Sequence, residues 1–98
     1  MTYSMYSPDG RGDSGLMSNA IIREDNGETT IKQFARPEVG ACMQVGSHYA
    51  RTFGYQDYWT TTPVIEITDE WEEKDEFGEV AECVRFKTRN STYIWKKF

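Results

Sequence analysis

Alternation of apolar and polar side chains is clearest near the end of the chain, in residues 84–88 and 92–95. A period of two is typical of a strand with one buried face. The short polar link between the two runs contains Asn90, a residue that tolerates the left-handed backbone of tight turns. We therefore predict a C-terminal β-hairpin. Its predicted buried face consists of Val84, Phe86, Tyr93 and Trp95.

Two registers are compatible with this hairpin. A turn at residues 89–90 places Phe86 opposite Tyr93, whereas a turn at residues 90–91 places Phe86 opposite Trp95. Both registers keep the parity of the side chains, so both bury the same four residues. The pattern predicts the hairpin and its core face and leaves the register open.

A second hairpin is predicted around Asn26 and Gly27, because both residues accept positive φ and they separate two strand-like runs at 20–25 and 28–34. Closing the turn on these two residues places Ile22 opposite Ile31. We expect this hairpin to be the first of the sheet or a small protruding ribbon.

The middle of the chain predicts two further strands. Residues 41–53 alternate, with Gly46 marking a bulge or bend. Their predicted apolar face holds Met43, Val45, Tyr49 and Phe53. Residues 60–67 form the next strand, and Pro63 should lie at its start or on a sheet edge because proline cannot donate to a ladder.

The fold class follows from these runs. We expect a mainly β domain over residues 19–98, with about five or six short strands closing into an SH3-like or OB-like small barrel or a strongly bent antiparallel sheet. Residues 69–79 would join the last strands as a long β-connection or one helical turn. Residues 1–18 are rich in Ser, Gly and Asp and predict a flexible N-terminal arm. The tripeptide at 11–13 matches the integrin-binding sequence, and we interpret it as a Gly-rich turn that matches by chance.

Composition narrows the class of protein. Ninety-eight residues suffice for one domain, and 14% aromatic residues supply its core. No apolar run reaches the ~20 residues of a membrane span, and the first residues lack the pattern of a signal peptide, so we expect a cytoplasmic protein. Cys42 and Cys83 should be reduced thiols. With His48 as the single histidine, there are too few ligands for a structural zinc site.

The net charge of −5 is concentrated in residues 66–82, which hold nine acidic residues and one basic residue, Lys74. Such a surface disfavours binding to duplex nucleic acid, because affinity there depends on neutralising phosphates. We expect neither a cofactor nor a metal. A hydrolase would need His48 as base with Asp57, Ser47 or Cys42 in support, and we interpret His48 as an ordinary strand residue, so we expect no enzyme.

Two stretches are candidate binding surfaces. The first is the acidic stretch with its embedded aromatic rings: Asp69, Glu70, Trp71, Glu72, Glu73, Asp75, Glu76 and Phe77. It would present phosphate-like charge to a basic groove, or form a solvated loop with both rings packed on the domain. The alternative is an aromatic tract that stacks bases: Arg51, Tyr55, Tyr58 and Trp59.

Residues 61–67, Thr-Thr-Pro-Val-Ile-Glu-Ile, and residues 84–93, Val-Arg-Phe-Lys-Thr-Arg-Asn-Ser-Thr-Tyr, resemble small proteins of bacteriophages and mobile elements. The resemblance covers about the last forty residues and implies no catalytic residues. It implies a phage-type protein that blocks or modulates a host protein, such as an anti-defence inhibitor, in the host cytoplasm. The expected partner carries a basic nucleic-acid-handling surface. The alternative function is a small β-barrel module that binds a nucleotide or single-stranded nucleic acid.

Overall fold

The computed structural model describes residues 2–47 and 57–98, which form eight β-strands and no helix. The strands are β1 (Tyr3–Tyr6), β2 (Gly12–Gly15), β3 (Met17–Arg23), β4 (Thr29–Gln33), β5 (Cys42–Gly46), β6 (Tyr58–Lys74), β7 (Val80–Thr88) and β8 (Thr92–Lys97). Within these described ranges, no helix is long and apolar enough to cross a membrane. The predicted mainly β class is confirmed.

All eight strands belong to one antiparallel sheet with the order β2-β1-β8-β7-β6-β5-β3-β4. Only Leu16 separates β2 from β3, although these strands lie near opposite ends of the order. The sheet therefore curls, and β2 comes against β5, where an added Cβ at Gly15 would lie 2.2 Å from the Gly46 carbonyl oxygen. The described strands form one antiparallel sheet that is not hydrogen-bonded into a closed barrel, so of the two predicted forms the barrel is wrong in this detail.

The strand count exceeds the prediction because the segment predicted as a flexible arm supplies β1 and β2. The side chains of Tyr3 and Met5 are completely buried, and Met5 lies opposite Trp95 on β8. β1 is only four residues long, so its alternation is too brief to be recognised without the neighbouring strand that it covers.

The core lies on the inner face of the curled sheet. Its largest fully buried side chains are Trp95, Tyr3, Phe86 and Met5. The rings of Tyr3 and Trp95 lie 5.8 Å apart, and those of Phe86 and Tyr93 are stacked at 5.6 Å. Met43 and Val45 of β5 are buried on the same side, as predicted, whereas Tyr49 and Phe53 lie outside the described residues.

The C-terminal hairpin is confirmed, and its register is the one that pairs Phe86 with Tyr93. Its turn consists of residues 89–90, closed by a hydrogen bond from the Thr88 amide to the Ser91 carbonyl at 2.8 Å. Among the described non-glycine residues, only Phe34 has a positive φ. Asn90 lies in the turn as predicted, without using the left-handed backbone that it tolerates.

The β3–β4 hairpin forms as predicted, but Ile21 rather than Ile22 lies opposite Ile31. The loop holds three residues, 25–27, because the amide of Glu24 bonds the carbonyl of Glu28 at 2.7 Å. A three-residue loop with glycine in the left-handed third position shifts the pairing by one residue relative to a two-residue turn.

Pro63 lies inside β6, a strand of 17 residues, so its predicted place at a strand start or sheet edge is wrong. It follows a bulge at residues 61–62, where the pairing between β5 and β6 shifts. The hydroxyl of Thr61 accepts a hydrogen bond from the Met43 amide at 3.0 Å, which replaces a ladder bond. A bulge is a site where a strand tolerates proline. Gly46, predicted to mark a bulge or a bend, pairs with Tyr58 without a bulge.

Candidate protein-binding surface

Residues 66–82 form a β-hairpin, which we call the acidic hairpin. The second half of β6 pairs with β7 from Val64–Thr88 to Lys74–Val80, so the connection predicted as either β or helical is β. It contains the nine acidic residues of the charged stretch. An extended backbone spreads these charges along two strands and places them on both faces of the ribbon.

The tip of the acidic hairpin is a three-residue loop, 76–78. The Asp75 amide bonds the Glu79 carbonyl at 2.9 Å, and the Gly78 amide bonds the Asp75 carbonyl at 3.1 Å. The Asp75 carboxylate also accepts from the amides of Phe77 and Glu79, both at 2.9 Å. Gly78 has φ 84°, a left-handed value that favours glycine. Asp75 therefore stabilises the turn.

The β3–β4 loop has the same construction. Its closing amide-to-carbonyl bond joins Glu24 and Glu28, and Gly27 has φ 86° in its third position. Matching the two loops places Phe77 at the position of Asn26. Asn is an ordinary turn residue there, since its side chain bonds the backbone two residues on. The geometry of the turn therefore does not require a phenyl side chain at position 77.

Phe77 is 84% exposed, the largest exposure among the described large apolar residues. It lies between Glu76 and Gly78 at the end of the ribbon, and no described aromatic ring stacks on it. The alternative in which both rings of the acidic stretch pack on the domain is therefore wrong for Phe77. Aromatic side chains that become buried on binding are frequent anchors of protein interfaces.

Trp71 is half-buried and held on the ribbon. Its indole Nε1 donates to the Glu73 carboxylate at 3.2 Å, and the guanidinium of Arg85 lies 5.3 Å from the ring centroid. Arg85 also pairs with Asp69 at 2.9 Å. Trp71 thus stiffens the acidic hairpin, whereas Phe77 remains exposed.

Several carboxylates of the acidic hairpin have partners within the protein. Glu73 accepts from Lys96 at 2.8 Å, and this hydrogen bond, followed by that of Trp71, lowers the pKa of Glu73. Arg36 belongs to the segment between β4 and β5. Its guanidinium nitrogen Nη2 lies 2.6 Å from a carboxylate oxygen of Glu70 and 3.4 Å from one of Glu82. These contacts couple the base of the hairpin to the sheet.

Five other acids of the hairpin make no ion pair with any residue in the described ranges: Glu66, Glu72, Asp75, Glu76 and Glu79. Glu72 lies directly opposite Glu82, and Glu76 and Glu79 flank Phe77. Three of the five acids without an ion pair, Asp75, Glu76 and Glu79, therefore lie at the tip beside the exposed ring. The sequence alone does not separate these residues from the paired acids, because the partners Arg36 and Lys96 are distant in the chain.

The aromatic tract is only partly described. Arg51 and Tyr55 lie outside the described residues, and Tyr58 and Trp59 begin β6, both half-buried. The indole Nε1 of Trp59 donates to the Tyr93 hydroxyl at 3.1 Å, and its ring packs against the core. A ring used in this way has little free face on which a base can stack.

The described residues include only part of the candidate catalytic set, Cys42, Ser47 and Asp57. His48 lies outside the described residues, and across residues 2–47 and 57–98 no group of three or more His, Cys, Asp and Glu residues could hold a metal ion. Cys42 and Cys83 are free thiols, and burial raises the pKa of Cys83, with a smaller contribution from the charge of Glu73. A raised pKa makes a thiol a poorer nucleophile at neutral pH.

No protein-family model, no curated protein and no solved structure matches this chain.

Proposed function

We propose that this protein is a non-enzymatic, phage-type binding protein whose acidic hairpin blocks or modulates a host protein. The observation that carries the proposal is Phe77, 84% exposed at a hairpin tip whose neighbouring acids, Glu76 and Glu79, have no ion-pair partner among the described residues. A ring and two carboxylates presented together match an apolar pocket rimmed by Lys and Arg.

The energetics favour this arrangement. Burying a phenyl side chain contributes about 1.5–3 kcal/mol. The turn is already ordered by the Asp75 carboxylate, which accepts hydrogen bonds from the amides of Phe77 and Glu79, so little conformational entropy is lost on binding. The surrounding carboxylates accelerate encounter with a basic surface through long-range attraction.

The proposed partner is a host protein with a basic nucleic-acid-handling surface, in the host cytoplasm. Such a surface binds phosphates with Lys and Arg, and carboxylates spaced along a ribbon compete for the same cations. Inhibition of a host defence protein is one specific form of this activity.

The first experiment is affinity capture from host lysate with the wild-type chain and Phe77→Asn, followed by binding measurements on the purified captured protein. Asn occupies the equivalent position of the β3–β4 loop, so this variant keeps a turn that the chain already uses. We expect a loss of affinity of about 10- to 100-fold, corresponding to the lost burial of the ring. Equal affinity of the two proteins would contradict the proposal.

The aromatic-tract alternative predicts a different pattern. A nucleotide or single-stranded oligonucleotide would bind wild type and Phe77→Asn equally, and Tyr55→Ala with Tyr58→Ala would abolish binding. Measuring the captured protein and the oligonucleotide against the same three proteins distinguishes the two functions.

A further inference from the structure

β4 is the last strand of the sheet order, and all five of its residues are exposed. One edge of β4 pairs with β3, and no strand of the described residues pairs with the other. A free edge of this kind presents unpaired N–H and C=O groups to any strand that can match its register.

The hydrogen-bond pattern of the hairpin identifies these groups. Glu24 and Glu28 form a hydrogen-bonded pair, and such pairs alternate along an antiparallel ladder. The backbone groups of Thr30 and Lys32 are therefore hydrogen-bonded to Ile22 and Ala20 of β3. The backbone groups of the intervening β4 residues point to the free edge: Thr29, Ile31 and Gln33.

Ile31 gives this edge an apolar centre. It is 56% exposed and begins a row that crosses the sheet: Ile31 lies opposite Ile21, Ile21 opposite Cys42, and Cys42 opposite Pro63. Rows of cross-strand neighbours on one face are the units that stabilise paired strands. A strand added beside Ile31 would lengthen this row.

Phe34, just after β4, adds a second exposed ring. Its φ of 53° is left-handed, a conformation that is unusual for a bulky side chain. The contacts of Ala35 account for this backbone conformation. The Ala35 amide donates to the Ser18 carbonyl at 2.9 Å, and the Ser18 hydroxyl donates to the Ala35 carbonyl at 2.8 Å. Ala35 thereby occupies the inward position and Phe34 is left 66% exposed beside the free edge.

We propose that a second copy of this chain pairs its own β4 with this edge, antiparallel and about a two-fold axis at Ile31. In this register Ile31 faces its symmetry mate, Thr30 faces Lys32, and the five-residue strands overlap completely. An axis at Lys32 would instead oppose two lysines. The strand is thus complementary to itself, and a two-fold interface requires this property.

Charge supports a second copy as the occupant. Lys32 is the only charged residue of β4, and its ammonium already pairs with Glu38 at 3.0 Å. A lysine on an edge strand normally opposes pairing, and here its charge is compensated within the same chain and faces a threonine of the other copy. The surface joined in this way is separate from Phe77, so the dimer does not depend on the proposed function.

The test is the molar mass of the full chain by sedimentation equilibrium over increasing concentration. We expect wild type to pass from 11.4 kDa to twice that mass, and Ile31→Lys to remain at 11.4 kDa. The matched control is Ile65→Lys, since Ile65 is 58% exposed but lies in β6, which has neighbours on both sides. This control should dimerise like wild type.

Hydrogen exchange gives a second readout on the unaltered protein. The Ile31 amide should exchange more slowly as the concentration rises, because it gains an acceptor only in the dimer. Wild type that stays at monomer mass would overturn the proposal. The same conclusion follows if Ile31→Lys dimerises like wild type, if Ile65→Lys dissociates equally, or if exchange at Ile31 is independent of concentration.

Discussion

The indole Nε1 of Trp95 donates a hydrogen bond to the hydroxyl of Ser18 at 2.9 Å, in the buried core and across 77 positions of the chain. Ser18 in turn donates to the carbonyl of Ala35 at 2.8 Å. One polar chain therefore connects β8, β3 and the segment after β4. Each buried polar atom in it has a partner, as a low-dielectric interior requires.

We predict that Trp95→Ala lowers the free energy of unfolding by about 3–5 kcal/mol, because it leaves a large cavity in the core. Ser18→Ala should cost about 1–3 kcal/mol, since it leaves the indole N–H buried without an acceptor. Urea unfolding followed by circular dichroism measures both changes. A Trp95→Ala variant that unfolds at the same urea concentration as wild type would contradict the described core.

A second prediction concerns the curl of the sheet. In Gly15→Ala the new Cβ would lie 2.2 Å from the Gly46 carbonyl oxygen, so β2 must move away from β5. We expect a loss of stability of about 1–3 kcal/mol, typical of overpacking. The neighbouring Leu16→Ala, at a side chain that is 66% exposed, should change stability by about 0.5 kcal/mol or less. Thermal unfolding of the two variants side by side checks the prediction, and equal melting temperatures would refute it.

The pairing of Glu73 with Lys96 predicts a pH dependence. The hydrogen bond from Lys96 lowers the pKa of Glu73 below its ordinary value of 4.5, so the ionised form is favoured in the folded protein. The pairing therefore stabilises the fold above pH 4.5 and is lost as the pH falls through the lowered pKa. Lys96→Met should raise the Glu73 pKa in an NMR titration of the carboxyl groups. An unchanged Glu73 pKa in this variant would mean that Lys96 is not its partner in solution.

The two thiols should react at different rates. Cys83 is fully buried with a raised pKa, whereas Cys42 is half-buried. We expect a thiol reagent to label Cys42 first and Cys83 only at the rate at which the protein opens. The variants Cys42→Ser and Cys83→Ser assign the two phases. Equally fast labelling of both residues in the folded protein would contradict the burial of β7.

Alternation predicted the elements that form the core, since Phe86 and Trp95 repeat with the period of a strand. It did not predict β1, where Tyr3 and Met5 are too few to define a period and are buried only because β8 lies beside them. Asn-Gly occurs both in two-residue turns and at the end of three-residue loops, so the sequence alone does not show that this loop has three residues, 25–27.

The sequence predicts which residues make up the candidate surface, but not which of its carboxylates form ion pairs. The run of acids identifies the segment, and Phe77 stands out among them in the sequence. The partners of Glu70 and Glu73, Arg36 and Lys96, come from distant strands and loops, so only the folded chain separates structural carboxylates from free ones. Neutralising Glu73 or Asp75 would therefore disturb the fold as well as the charge.

We predict that the tip of the acidic hairpin makes the contact with the partner. The most direct measurement compares the association rate constants of two charge variants with the captured partner at several salt concentrations. Glu76→Gln with Glu79→Gln removes two charges beside Phe77, and Asp25→Asn with Glu28→Gln removes two from the equivalent positions of the matching β3–β4 loop. Both variants have the same net charge. We predict slower association with a weaker salt dependence for the Glu76 and Glu79 variant, and wild-type behaviour for the control. Equal association rates of the two variants at low salt would contradict the account.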